Sequence, residues 1–172
     1  MQGGHEKAGN LQDMTRLLAH EHVRCPCDRL ERYVAAYLET FRREDGTIRL
    51  SLGPLPIHTL GFNLERPVVA HLELGPDPAG LNQVLHVSWE PDGGGPFPAF
   101  TGILTAEPLE ESESDDSLLA LDGIYRPPGG APGKLFDEAI GYSIARGSAR
   151  TLLDRLRDGA EAAFQREKTT TQ

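Results

Sequence analysis

Residues 117–156 read SLLALDGIYRPPGGAPGKLFDEAIGYSIARGSARTLLDRL, and the change of character within them decides the fold. Residues 117 to 125 form an apolar run of strand length. Residues 126 to 133 (RPPGGAPG) cannot continue a strand or begin a helix until their end, because Pro brings no N–H and clashes with the preceding turn. From 134 to about 166, Leu135, Ala139, Tyr142, Ala149, Leu152, Leu156, Ala160 and Ala163 recur at steps of three, four or seven, the signature of one helix face. The chain therefore closes with a strand, a Pro/Gly loop and a long helix.

Working back from that stretch, the acidic run Glu110 to Asp116 (EESESDD) separates the last strand from another at 99 to 108. It lacks the Asp/Asn-Gly ladder of a calcium loop and reads as a solvated hairpin connection. Further upstream, alternation recurs: Ile48, Leu50 and Leu52; Val68, Ala70, Leu72 and Leu74; Leu85, Val87 and Trp89. One apolar parity per strand means one buried face and one wet face, as antiparallel sheets permit. Turn signals stand between them at Gly53-Pro54, at 75–78 and at 91–96. Residues 17–24 (LLAHEHVR) read as a first strand that Pro26 breaks. Asp28 and Glu31 have the capping-box spacing, and Leu30, Tyr33, Val34, Tyr37, Leu38 and Phe41 make a helical stripe running to about Arg43, where Asp45-Gly46 turns the chain. Residues 1–14 read as a flexible leader, 15–166 as one domain and 167–172 as a flexible tail.

Composition narrows the class of function. The chain has 172 residues, enough for one domain with a sizeable core, and 38% hydrophobic and 25% charged residues are ordinary for a globular protein. A formal charge of −9, with the basic residues scattered among acids, argues against a nucleic-acid or acidic-membrane partner, since such partners are held by clustered Lys and Arg. No apolar run approaches a membrane span and no signal-peptide pattern precedes the domain, so the expected location is cytoplasmic. Cys25 and Cys27 flank Pro26, too close to bridge comfortably, and read as free thiols of a reducing compartment.

The order strand, helix, run of strands, long helix, together with three local patterns, resembles the START-like superfamily, also labelled SRPBCC, which includes the birch-pollen allergen, polyketide cyclases and coenzyme-Q-binding proteins. Residues 23–30 (VRCPCDRL) look like its strand-Pro-helix entry, 97–104 (FPAFTGIL) like a late strand with small residues among bulky ones, and Tyr125-Arg126-Pro127-Pro128 with 137–156 like its last strand, loop and capping helix. The resemblance spans about residues 17 to 166. It implies an α+β helix-grip fold, a curved antiparallel sheet of 6–7 strands wrapped around a long C-terminal helix, with the seventh strand falling between Gly53 and Pro67.

Such a sheet cannot press a straight helix against its whole inner face, and the gap would be lined by inward residues, here Leu50, Leu72, Leu85, Val87, Trp89 and Phe100. Apolar voids of that kind stay dry and accept apolar ligands. Gly141 and Gly147, within the small-residue middle of the long helix, either leave room for a ligand or let the helix pack closely on the sheet. Tyr125 and Tyr142 lie on the two elements that bracket the family's cavity, as candidates to orient a ligand or as core aromatics with solvated tips. Asp122 sits in an apolar strand of ambiguous parity. Facing inward, its pKa would rise and it could serve as an acid or hold a polar head; facing outward, it is a surface charge.

The expected function is thus the binding, as carrier or sensor, of a hydrophobic small molecule such as a lipid, quinone or polyketide-like compound, with no cofactor. A cyclase or dehydratase acting on such a compound is the alternative, resting on Asp122, Tyr125, Tyr142 and His58. A third reading is a protein-interaction module using the outer face, where His71, Glu73, His86 and Ser88 fall. The cluster His20, His22, Cys25 and Cys27 holds four possible zinc ligands in eight residues, but it lacks the second, separated pair of a structural zinc site, and metal binding is not expected. Neither a nucleophile elbow nor a phosphate-binding loop is present.

Overall fold

Alternation and helical periodicity both materialise in the computed structural model, which describes residues 15–53, 66–81, 83–93, 97–109, 116–126 and 138–170. In chain order the elements are β1 (Thr15–Val23), α1 (Cys27–Glu39), β2 (Ile48–Leu52), β3 (Arg66–Pro76), β4 (Gln83–Pro91), β5 (Ala99–Pro108), β6 (Ser117–Arg126) and α2 (Glu138–Thr170). The strands form one antiparallel sheet in the order β1-β6-β5-β4-β3-β2, so only the β1–β6 pairing joins elements distant in sequence. The seventh strand expected between Gly53 and Pro67, and His58 with it, falls on residues 54–65, outside the described ones.

The parity predicted for β2, β3 and β4 holds, save that Leu74 at the end of β3 is exposed, and in β6 the structure settles which parity faces inward. Leu17, Val23, Leu50, Leu52, Val68, Ala70, Val87, Trp89, Phe100, Leu104, Leu119, Leu121 and Tyr125 are buried on the inner face. On that face, Gly102 of β5 stands directly opposite Gly123 of β6. The Phe100 ring lies over the pair, close enough that a Cβ on either glycine would meet its Cζ within 2.7 Å. Phe100 in turn stacks on Trp89, with centroids 4.2 Å apart and planes 16° from parallel.

The helices differ from the sequence expectation at their ends. The Asp28–Glu31 capping box does not form: Pro26 occupies the N-cap, and its carbonyl accepts from the Arg29 and Leu30 N–H groups. Asp28 remains in the first turn, where its charge complements the helix dipole. At the other end α1 stops at Glu39 rather than near Arg43. The Thr40 hydroxyl donates to the Tyr37 carbonyl, Arg42 bridges to Ile48, and the backbone already turns toward β2 through Gly46 at φ 80°. Helix α2 runs beyond Arg166 to Thr170, and Glu167 explains why: it accepts from Arg29, Arg32 and the Tyr33 hydroxyl of α1, tying the last turns down.

Helix α2 lies mainly along β1 and across α1, with lighter contact to β6 and β2. Leu152, Leu153, Leu156, Ala160 and Phe164 are its buried side. Leu152 and Leu156 of α2 face Ala70, Val87 and Trp89 of β3 and β4, whereas the end of β3, β4 and β5 that carries Leu74, Leu85 and Ala106 does not border α2. Helix α1 stands over it instead.

Candidate functional site

That arrangement leaves a cleft of about 440 Å³ between α1 and the sheet. Leu30, Val34 and Leu38, the predicted apolar stripe of α1, line one wall; Leu72, Leu85, Leu104 and Leu119 line the other. Glu31, Arg32, Glu39 and Arg42 of α1 also line it, so an apolar channel carries a charged border. Among these, Arg42 is paired with Glu39 through two hydrogen bonds of 2.6 Å, which holds the Glu39 carboxyl below its ordinary range. Leu74 is 74% exposed and lines the cleft too, which places a large apolar side chain at its solvent edge.

Beneath α2 the interior is different. The space bounded by Leu50, Val87 and Trp89 on the sheet and by Leu152 and Leu156 on α2 amounts to about 10 Å³, room for no more than one water. Of the six inward residues named from the sequence, Leu72 and Leu85 border the large cleft. Leu50, Val87 and Trp89, with Leu72 again, border the small void, and Phe100 is buried in its stack. Leu38, Leu72 and Leu104 line both spaces and so stand between them. Leu30, Val34 and Leu38 of the cleft were visible in the sequence as part of a helix stripe. What the sequence could not show is that this stripe faces the sheet across a gap.

Asp122 faces outward. It accepts from Arg16 of β1 at 3.0 and 2.6 Å, and this hydrogen-bonded pair keeps its carboxyl below the usual range. The inward, raised-pKa role considered for it is thereby excluded, and it stands outside the cleft. Tyr125 is buried and its ring lies 6.3 Å from that of Tyr142, which is 39% exposed; neither borders the cleft. Gly147 is half-buried in α2, and its carbonyl accepts a hydrogen bond from Thr151, whose hydroxyl also reaches the Gly53 carbonyl at 2.7 Å. Of the enzyme-reading residues that are described, Tyr125 and Tyr142 neighbour each other and Asp122 points to the opposite face of the sheet.

The four possible zinc ligands separate as well. His20 and His22 lie on the outer face of β1, His22 bonded to Asp116 at 2.8 Å, whereas Cys25 is fully buried, its thiol pushed up to about 11 by burial. Cys27 is half-buried, and burial raises its thiol as well. Among the described residues no group of three or more His, Cys, Asp or Glu side chains is arranged to hold a metal ion. Among them, too, no helix is long and apolar enough to cross a membrane.

A sheet of this order gripping a C-terminal helix is the helix-grip fold of START-like proteins, and the described residues have it. Solved structures agree. The chain is similar to the Zhui aromatase/cyclase of Streptomyces sp. R1128, at 14% identity over 86% of this chain and 94% of that one, with a TM-score of 0.52. It is similar to a protein of Thermus thermophilus, at 16% identity over 87% and 99%, with a TM-score of 0.50. A START superfamily protein of Mycobacterium smegmatis is also similar, at 13% identity over 88% and 97%, with a TM-score of 0.44. No protein-family model and no curated protein matches the chain. At these identities the first two likenesses bear on the fold alone.

Proposed function

We propose that the protein binds a hydrophobic small molecule, a lipid, quinone or polyketide-like compound, as a carrier or sensor, and that it does so in the cleft between α1 and the sheet. The observation carrying this reading is the cleft itself: about 440 Å³ walled by leucines from both sides, within the size range of small-molecule sites. Its free energy would come from removing apolar surface from water, about 25 cal/mol per Å² on each partner, and needs no reacting group. The free thiols Cys25 and Cys27 accord with a reducing, cytoplasmic setting.

Binding is favoured over catalysis because Asp122, Tyr125 and Tyr142 lie away from the cleft. The test is to fill the space from both sides. Ala35 on α1 and Ala106 on β5 both line the cleft, and neither is in the fully buried core. The double variant Ala35→Phe, Ala106→Phe is expected to lose binding of Nile red at least tenfold while keeping the wild-type circular dichroism spectrum. Unchanged dye affinity in the folded variant would remove the cleft as the site.

A further inference from the structure

The indole Nε1 of Trp89 is buried and has no hydrogen-bond partner among the described residues. Trp89 is 1% exposed, so water at the surface does not serve it either. A buried N–H left unpaired is rare in folded proteins, because the group forfeits its bond to water and gains nothing in return. The neighbourhood does not relieve it: one indole face is taken by Phe100, and the adjoining void is walled by Leu50, Leu52, Val87, Leu152 and Leu156, none with a side-chain acceptor. The donor is a feature that the packing leaves unexplained.

The void that Trp89 lines is separated from the large cleft by Leu38, Leu72 and Leu104, which line both. A molecule seated in the cleft thus has its inner end against these three leucines, which would have to change rotamer for it to reach the space beside the indole. That space, about 10 Å³, matches one oxygen atom and not a further stretch of chain. Resting on the cleft being the ligand site, we propose that Trp89 is its specificity-determining donor. The ligand class is an apolar molecule carrying a hydrogen-bond acceptor, a carbonyl or ether oxygen, at the end that penetrates deepest. The indole N–H donates to that oxygen. A purely hydrocarbon ligand of the same shape fills the cleft and leaves the donor unpaired, and a ligand with a donor such as an ammonium at its inner end is rejected. The polar end of the ligand therefore points inward, opposite to what the charged border of Glu31, Arg32, Glu39 and Arg42 alone would suggest.

The test uses two probes of one shape, 2-undecanone and 2-methyl-1-undecene, in which CH2 replaces the carbonyl oxygen. Dissociation constants are measured for both, by Nile red displacement, on the wild type and on Trp89→Phe. Comparing the ratio of the two constants between proteins cancels the different water solubilities of the probes and any general loosening in the variant. The ratio is expected to move about tenfold against the ketone on substitution, the effect of one buried hydrogen bond whose donor is otherwise unsatisfied. A second measurement needs no variant. Trp89 is the chain's sole tryptophan, so the wild type has a single indole N–H resonance, which the ketone should move downfield and the alkene should not. If both probes bind while the ratio stays within twofold and the resonance ignores the ketone, the donor role is overturned and the cleft stands. If neither probe binds, both fall.

Discussion

Gly102 and Gly123 show how single residues set the sheet's shape. They face each other across β5 and β6 on the inner surface, and a Cβ on Gly102 would sit on the Asp122 carbonyl oxygen and within 2.7 Å of the Gly123 Cα. Backbone atoms cannot swing aside as a side-chain tip can, so the strands would have to part. The same absence of Cβ atoms gives the Phe100 ring its seat, and through Phe100 it places Trp89. Gly102→Ala is therefore expected to destabilise the protein by about 2–3 kcal/mol, the range for overpacking a filled site, read as a lower urea midpoint at unchanged slope. A midpoint within experimental error of wild type would mean that the two strands are not in this contact. The sequence announced small residues in this strand, and the resemblance marked them, but nothing in a linear chain says that two glycines on different strands will meet under one ring. Asp122 was open for the same reason: four consecutive apolar residues, Leu118 to Leu121, hide the parity that pairing with Arg16 reveals.

At the scale of elements, strand and helix positions were legible because periodicity encodes them; helix ends and mutual placement were not. The end of α1 depends on Thr40 and the turn beyond it, and the end of α2 on Glu167 meeting residues far earlier in the chain. Where the two helices cross, Gly159 of α2 lies against the Tyr37 ring of α1, so closely that a Cβ would fall 2.6 Å from the ring's Cγ. That atom is near the root of the side chain, and relief requires the helices to move apart. Alanine is the better helix former by about 1 kcal/mol, so a freely exposed Gly159→Ala would stabilise. Here the expected sign is opposite: a net loss of about 1–2 kcal/mol from the overpacked crossing. In a Tyr37→Ala background the same change should turn neutral or favourable, which thermal denaturation of the four proteins in the cycle would show. Gain of stability in the wild-type background would refute the tight crossing. This crossing also sets how far α1 stands from β3–β5, and hence the width of the cleft.

For the whole molecule, the sheet, its inner parity and the gripping helix could be read from the chain, whereas the location of the open space could not. Volume is the difference between two large packed solids, and Leu152 and Leu156 fill what the strand pattern alone leaves vacant beneath α2. The space moved to α1 because α2 leans toward β1. What holds α1 there is partly electrostatic. Glu167 of α2 binds Arg29, Arg32 and Tyr33 of α1, and Glu161 of α2 accepts from the Arg24 backbone and guanidinium, each at 3.0 Å. Burial acts to raise the Glu161 pKa, but the Arg24 hydrogen bonds prevail and keep it low; the Tyr33 hydroxyl and the two arginines do the same for Glu167. A carboxylate with a lower pKa folded than unfolded contributes stability that is complete above its unfolded value, near 4.5, and is lost as pH falls through the folded value, because the unfolded chain then takes up more protons. Urea midpoints should accordingly hold from pH 7 to about 5 and drop below about 4.5. Glu161→Gln should cost about 1 kcal/mol at about pH 7 and flatten the acid limb, since the variant has one fewer carboxylate to protonate. Because the same contacts clamp one wall of the cleft, Nile red affinity should decline over that acid range before the helical circular dichroism does. A dye affinity indifferent to pH until global unfolding would mean that α1 is held by its apolar stripe alone, and that the carboxylates of α2 have no part in keeping the cleft open.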